Sequence, residues 1–182
     1  MRKPTLAVAS SAFFALAPGI VAGVVPWWLT GWRSGWPAQG AWWAARVPGI
    51  ALIGLGALVL VHAFVRFVAE GVGTPAPVAP TDRLVVGGLY RHVRNPMYVA
   101  VVAVIVGQAL LLGRPVLLVY GAAAGAAMAA FARWYEEPAL ARRFGEPYEV
   151  YRNAVPAWWP RWRPYVGEGR WPDRGQGPSK NP

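Results

Sequence analysis

The sequence predicts an all-α integral membrane bundle of about four transmembrane helices, followed by a carboxy-terminal helical segment on the cytoplasmic side. Three observations lead there. Hydrophobic residues make up 55% of the 182 residues and charged ones only 14%, which suits a bilayer better than a soluble domain. Four apolar stretches are separated by breaks rich in Gly, Pro and Arg, and tryptophans crowd those breaks, as they do at the headgroup level. The formal charge of +10 comes from arginines that flank apolar spans instead of forming one basic face. That pattern points to anionic lipid headgroups and not to nucleic acid. With no cysteine, and with His62 and His92 far apart and no carboxylate cluster beside them, neither disulfides, thiolate chemistry nor a dedicated metal site is expected.

The first apolar run covers residues 6–29, behind Met1-Arg2-Lys3. It exceeds the ~7–15 residues of a signal-peptide core, and Pro18 would directly follow cleavage after Ala15-Leu16-Ala17, so a retained span is expected. Trp27, Trp28, Trp32, Trp36, Trp42 and Trp43 then fill a Gly- and Pro-punctuated connection and read as an interfacial belt. Residues 47–68 supply the ~20 residues a second span needs. Near its end His62, Arg66 and Glu70 recur at i, i+4 and i+8, as a boundary ion pair or as the wall of a site. Residues 71–80 predict an extended connection, residues 81–86 an irregular piece, and Gly87-Gly88 a turn.

Apolar runs at 97–112 and 116–131, broken by Gly113-Arg114-Pro115, predict a tight helical hairpin whose segments of about 16 residues are each marginal for a full span. Gly121 and Gly125, with Ala122, Ala126 and Ala129, offer a small-residue packing face. Residues 136–143 predict a short helix stopped at Phe144-Gly145, and Pro147 opens another that carries Tyr148 and Tyr151. Trp158, Trp159 and Trp162 among arginines read as a second interfacial anchor. One membrane-embedded domain thus covers residues 1–166, and residues 167–182, rich in glycine, proline and charge, read as a disordered tail. With four spans, Arg2, Arg83, Arg91, Arg94 and the tail arginines fall on one side, and Arg33, Arg46 and Arg114 on the other. The positive-inside rule then puts both termini in the cytoplasm. Abundant Ala, Gly, Pro and Arg with little Lys suits a GC-rich bacterial source, hence a bacterial inner membrane.

Two polar stretches interrupt this apolar chain. One is Gly88-Leu89-Tyr90-Arg91-His92-Val93-Arg94-Asn95-Pro96-Met97-Tyr98; the other is Arg133-Trp134-Tyr135-Glu136-Glu137. If they meet, a site lies between them. Their chemistry suits a ligand with cationic and anionic parts. Arg94, Asn95 and free backbone amides around Pro96 can hold a carboxylate, while Glu136 or Glu137 can balance an amino group or bond ribose hydroxyls. Tyr90, Tyr98 and Tyr135 can offer ring faces to a sulfonium. The same residues also suit a plain interface, with positive-inside arginines, a proline in a first helical turn and headgroup-level tyrosines.

Tyr90, Arg94-Asn95-Pro96-Met97-Tyr98, the apolar hairpin, Glu136-Glu137, Phe144-Gly145-Glu146-Pro147-Tyr148 and Val155-Pro156, in this order, resemble the isoprenylcysteine carboxyl methyltransferase and phospholipid methyltransferase superfamily over about residues 73–160. The resemblance implies an integral membrane methyltransferase that moves a methyl group from S-adenosylmethionine to a lipid-like acceptor. It implies cofactor contacts at Tyr90, Asn95, Pro96, Met97, Tyr98 and Glu136, with Asp82, Arg83, Leu84 and Val85 as a further contacting stretch. Where the family carries Arg-His-Pro-x-Tyr, this chain has Asn95, an amide that binds but cannot shuttle a proton. The carboxylate-orienting arginine of the carboxyl methyltransferases falls at Ala132, with Arg133 as an approximate substrate-binding stand-in. His92 and Tyr98 are the candidate catalytic bases. Neighbours on a helix point about 100° apart, so Glu136 and Glu137 cannot both face one ligand. The resemblance gives the ligand to Glu136, which leaves Glu137 to pair with Arg133, Arg91 or Arg94. A similar carboxy-terminal pattern in NADPH-dependent membrane sterol and enone reductases gives a second reading. The Gly/Ala faces and tryptophan belts give a third, a non-enzymatic lipid-binding membrane protein.

Overall fold

The computed structural model describes residues 16–37, 40, 42–71 and 84–166, without the side chains of 67–71. All regular elements among the described residues are helical: α1 Leu16–Thr30, α2 Trp43–Gly71, α3 Pro96–Leu112, α4 Val116–Phe131, α5 Glu137–Phe144 and α6 Glu146–Ala154. The expected disordered tail, the possible cleavage site, the Arg66–Glu70 pair and the extended connection before Leu84 all involve residues or side chains outside this set.

Among the described residues two helices are long and apolar enough to cross a bilayer. The apolar part of α2, Trp43–Arg66, has 24 residues, and the helix Val116–Phe144 has 29; at 1.5 Å per residue these reach about 36 and 43 Å, beyond a ~30 Å hydrocarbon core. Their apolar surface faces outward: Val47, Ile50, Leu55, Leu58 and Val61 of α2, and Val119 of α4, are each more than half exposed. The core helix of a soluble protein would bury that surface, whereas a lipid-facing helix leaves it out. α1 and α3 are apolar but shorter.

The expectation of two marginal hairpin segments needs correction. α3 has 17 residues, but α4 does not stop at Phe131; it passes through a π-helical turn, Ala132–Glu136, directly into α5. Hydropathy falls at Arg133 while the backbone stays helical. Gly145, at φ +58°, ends α5, and Pro147 sits in the first turn of α6, as the sequence predicts.

Glycines set how closely the helices approach. A Cβ on Gly107 would lie 2.7 Å from the Gly49 carbonyl oxygen, and one on Gly56 would lie 2.8 Å from Val104, so α2 and α3 cross nearly backbone to backbone. A Cβ on Gly121 of α4 would lie 3.2 Å from the Ile105 side chain of α3, tighter than an ordinary contact, and one on Gly125 3.4 Å from Val102, in line with the small-residue face. Val101, Ile105, Ala109 and Leu117 form the core between α3 and α4, and Val21, Ala22 and Leu29 of α1 close it.

α1 carries its own π turn, Ile20–Val24, followed by Pro26. There the Val25 amide bonds Ile20, five residues back, which releases the Val21 carbonyl; Pro26 has no N–H for Ala22. Released carbonyls are costly in lipid. Tyr120 Oη donates to Val21 O at 2.8 Å, and Gln108 Nε2 donates to Ala22 O at 2.6 Å.

At this end of the bundle the tryptophan belt divides. Trp27, Trp28, Trp32 and Trp43 are exposed. Trp36 instead stacks on Trp42 and donates its indole N–H to Leu110 O at 3.1 Å, plugging the α3–α4 turn where Gly113 has φ +64° and no room for a Cβ. Antiparallel α2, α3 and α4 bring the ends of α2 and α4 and the start of α3 together at the other end, where both polar stretches lie.

Candidate functional site

The chain reaches the site through a 3₁₀ turn, Gly88–Arg91, entered by Gly88 at φ +55°. A Cβ there would meet Arg66 and His62 side chains at 3.1 and 3.2 Å, so the end of α2 is seated on this turn. Tyr90 and Met97 are buried with Ala63 and Val85. Pro96, buried, opens α3, and the amides of Met97 and Tyr98 in its first turn have no acceptor within the helix.

Tyr98 joins the two polar stretches. Its hydroxyl donates to Glu136 Oε1 at 2.5 Å, so residues 38 apart in sequence share a hydrogen bond. Glu137 points elsewhere, as the angle between helical neighbours requires. Only 12% of its side chain is exposed, and it pairs with Arg94 at 2.9 Å, Arg133 at 3.4 Å and Arg152 at 3.8 Å. Among the described residues Glu136 makes no ion pair. One carboxylate is therefore enclosed by guanidinium groups, while the adjacent one is held by a single phenol.

Arg94 is committed to the fold. Beyond Glu137, it donates from Nε to Val155 O at 2.9 Å and from Nη1 to Tyr148 Oη at 3.4 Å. Tyr148, Tyr151 and Val155 form a third buried cluster, against which Leu84 and Val86 pack. Tyr151 Oη donates to Tyr90 O at 2.7 Å. Burial pushes both phenols above the ordinary tyrosine range, against the pull of the nearby Arg94 guanidinium, so both keep their protons for hydrogen bonding.

Residues 155–166, beyond α6, run as a strap across residues 91–95. The Arg94 and Asn95 amides donate to Pro156 O and Ala157 O at 2.9 and 3.2 Å, and the Arg161 and Tyr165 amides donate to His92 O and Arg91 O, both at 2.9 Å. The amides just before Pro96 are thus occupied, and the expected free amides reduce to those of Met97 and Tyr98. His92 Nδ1 lies 2.8 Å from Arg161 O, which makes that nitrogen the protonated one and ties the ring to the strap. Arg91 Nε donates to Tyr165 O at 2.7 Å.

The sequence-derived candidates therefore divide. Tyr98 and Glu136 touch, with Asn95 and Pro96 at the adjoining helix start. Tyr90, Met97 and Val85 are in the core, and Leu84 packs toward α6. Arg133 is two-thirds exposed on the helix surface, and Tyr135, also exposed, stacks on Phe131. Asp82 and Arg83 lie outside the described residues. Sequence reasoning missed Arg152 as a partner of Glu137; its position one helical turn past Tyr148 was the available signal.

Among curated proteins no match is found. The model of the phospholipid methyltransferase family matches residues 44–147, more than half of the chain, and takes in α3, α4, Tyr98 and both glutamates. A chain of apolar, outward-facing helices that brings these residues to one end, and whose sequence fits that model, belongs to the phospholipid methyltransferase family.

Proposed function

We propose that the protein is a membrane-embedded methyltransferase that moves a methyl group from S-adenosylmethionine to a lipid-like acceptor. The observation that carries this reading is the Tyr98–Glu136 hydrogen bond, which unites two distant polar stretches around a carboxylate without a cationic partner among the described residues. The residues present suit the donor. Glu136 supplies negative charge for its cationic part or accepts from ribose hydroxyls, Tyr98 offers a ring face, and the Asn95 side chain and the Met97 and Tyr98 amides suit its carboxylate. When bound, S-adenosylmethionine would supply an electrophilic methyl carbon on a sulfonium for displacement by the acceptor's lone pair. The protein's part is alignment and exclusion of water, which can supply much of the acceleration. Arg94, His92 and Glu137 serve as supports that hold the start of α3, α5 and the strap in register.

The same proposal includes a single domain over residues 1–166 and four spans, α1 to α4, with the site on the cytoplasmic face beside both termini. Reporter fusions at Gly35 and after Gly167 should then report opposite sides of the membrane, and finding both on one side would remove the four-span topology. The functional reading is tested by titrating the purified protein with S-adenosylmethionine and with NADPH. Binding of the first alone is expected; binding of NADPH alone would favour a reductase, and binding of neither would leave a lipid-binding protein.

A further inference from the structure

Of the three tryptophans on the strap, two behave as an interfacial anchor should: Trp159 is 81% exposed and Trp162 98%. Trp158 does not. It is half-buried, and its ring lies 6.4 Å from that of Tyr98, centroid to centroid, within 23° of parallel. Its position is fixed from both sides by the bonds of Pro156 O and Ala157 O to the Arg94 and Asn95 amides and of the Arg161 amide to His92 O. Side chains add to this, because Arg161 Nη1 donates to Ala154 O and Arg94 Nε to Val155 O.

The Trp158 ring thus pairs with that of Tyr98, whose hydroxyl bonds Glu136, the half-buried carboxylate that has no ion pair among the described residues. A negative charge next to π faces attracts a cation that is large, weakly hydrated and poor in hydrogen-bond donors. Hard metal ions take six or more oxygen ligands, which two rings cannot provide. An anionic group would be repelled, and a neutral lipid tail would leave the carboxylate unbalanced.

We infer that Trp158 and Tyr98 are the two ring faces of a site for an onium cation, a sulfonium or an alkylammonium, with Glu136 as its counter-charge. The inference rests on the methyltransferase reading and extends it to a residue beyond the family-matched segment 44–147.

The test uses the full chain in nanodiscs and compares S-adenosylmethionine with S-adenosylhomocysteine, which lacks the methyl group and the sulfonium charge but keeps the α-ammonium. Calorimetric titration of Trp158→Leu should show S-adenosylmethionine affinity lowered about tenfold and S-adenosylhomocysteine affinity changed less than about twofold, while Trp158→Phe keeps most of both. An acceptor ammonium as the onium would show differently: both nucleoside affinities unchanged in Trp158→Leu, and KM raised for a phospholipid with an N,N-dimethylethanolamine headgroup but not for a lipid without an amine. Equal losses for both nucleosides, with Trp158→Phe no better than Trp158→Leu, would overturn the inference and make the ring a structural support. So would the absence of any change in affinity or KM. If the parent binds neither nucleoside, the donor reading fails on its own, and tetramethylammonium decides the onium site: the parent should bind it and Trp158→Leu should not.

Discussion

The chain uses one backbone device twice, to opposite ends. In α1 and again after α4, a π turn precedes a short α-helical segment with proline at its second position: Ile20–Val24 before Pro26, and Ala132–Glu136 before Pro138. Both turns shift the hydrogen-bond register by one residue, and both prolines withhold an N–H. Around the first, Tyr120 and Gln108 reach across to the released Val21 and Ala22 carbonyls, and Gln108 Oε1 is left buried without a hydrogen-bond partner. The second lies where α4 leaves the apolar region, and it turns two consecutive carboxylates to different partners. Glu137 is closed in by three arginines, whereas Glu136 has one phenol and, among the described residues, no ion pair. Where side chains serve the released carbonyls the turn is architecture; where a carboxylate has no ion pair among the described residues, a ligand can complete it.

Breaking the closed half of the second turn should have the largest effect. Arg94→Met removes the nearest partner of buried Glu137 together with the ties to Val155 and Tyr148. It should cost about 3 kcal/mol, the low end for breaking a buried pair, because Arg133 and Arg152 remain. Unfolding in the same detergent, with protease sensitivity of the strap, measures it; parent-like stability would mean that Glu137 is not what holds this end together. A middle-sized effect is expected on the open half. Tyr98→Ala should weaken S-adenosylmethionine binding by about 1–3 kcal/mol, the range for losing an aromatic contact or a hydrogen bond to a charged group. A folded variant that binds like the parent would make Tyr98 an interfacial residue. The smallest effect belongs to the first turn. Tyr120→Phe leaves Val21 O unserved and should lower stability by about 0.6 kcal/mol, the average for side-chain bonds within membranes, and by no more than about 1.7 kcal/mol, without touching ligand affinity. A change in affinity there would couple the two turns and undo the contrast.

Much of this contrast is legible in the sequence, because it depends on local rules. Pro96 and Gly113 bound α3, Gly145 and Pro147 separate α5 from α6, and the 100° between adjacent helical side chains divides Glu136 from Glu137. What is not legible depends on partners far along the chain. Arg133-Trp134-Tyr135 looks like the end of a span because hydropathy falls, yet hydrogen bonding carries the helix on to Phe144. Gly49, Gly56 and Gly107 show no pattern until α2 and α3 are laid together. Trp158 has the same composition around it as Trp159 and Trp162, and only the anchored carbonyls of Pro156 and Ala157 turn it inward.

The central claim is that adjacent glutamates divide ligand binding from structure. It is tested most directly by measuring S-adenosylmethionine affinity and thermal midpoint for Glu136→Gln and Glu137→Gln in the same detergent. Glu136→Gln should lose most of the affinity and keep its midpoint, while Glu137→Gln should lose stability and, where folded, bind like the parent. The reverse pattern, or unchanged binding in both variants, would contradict the account.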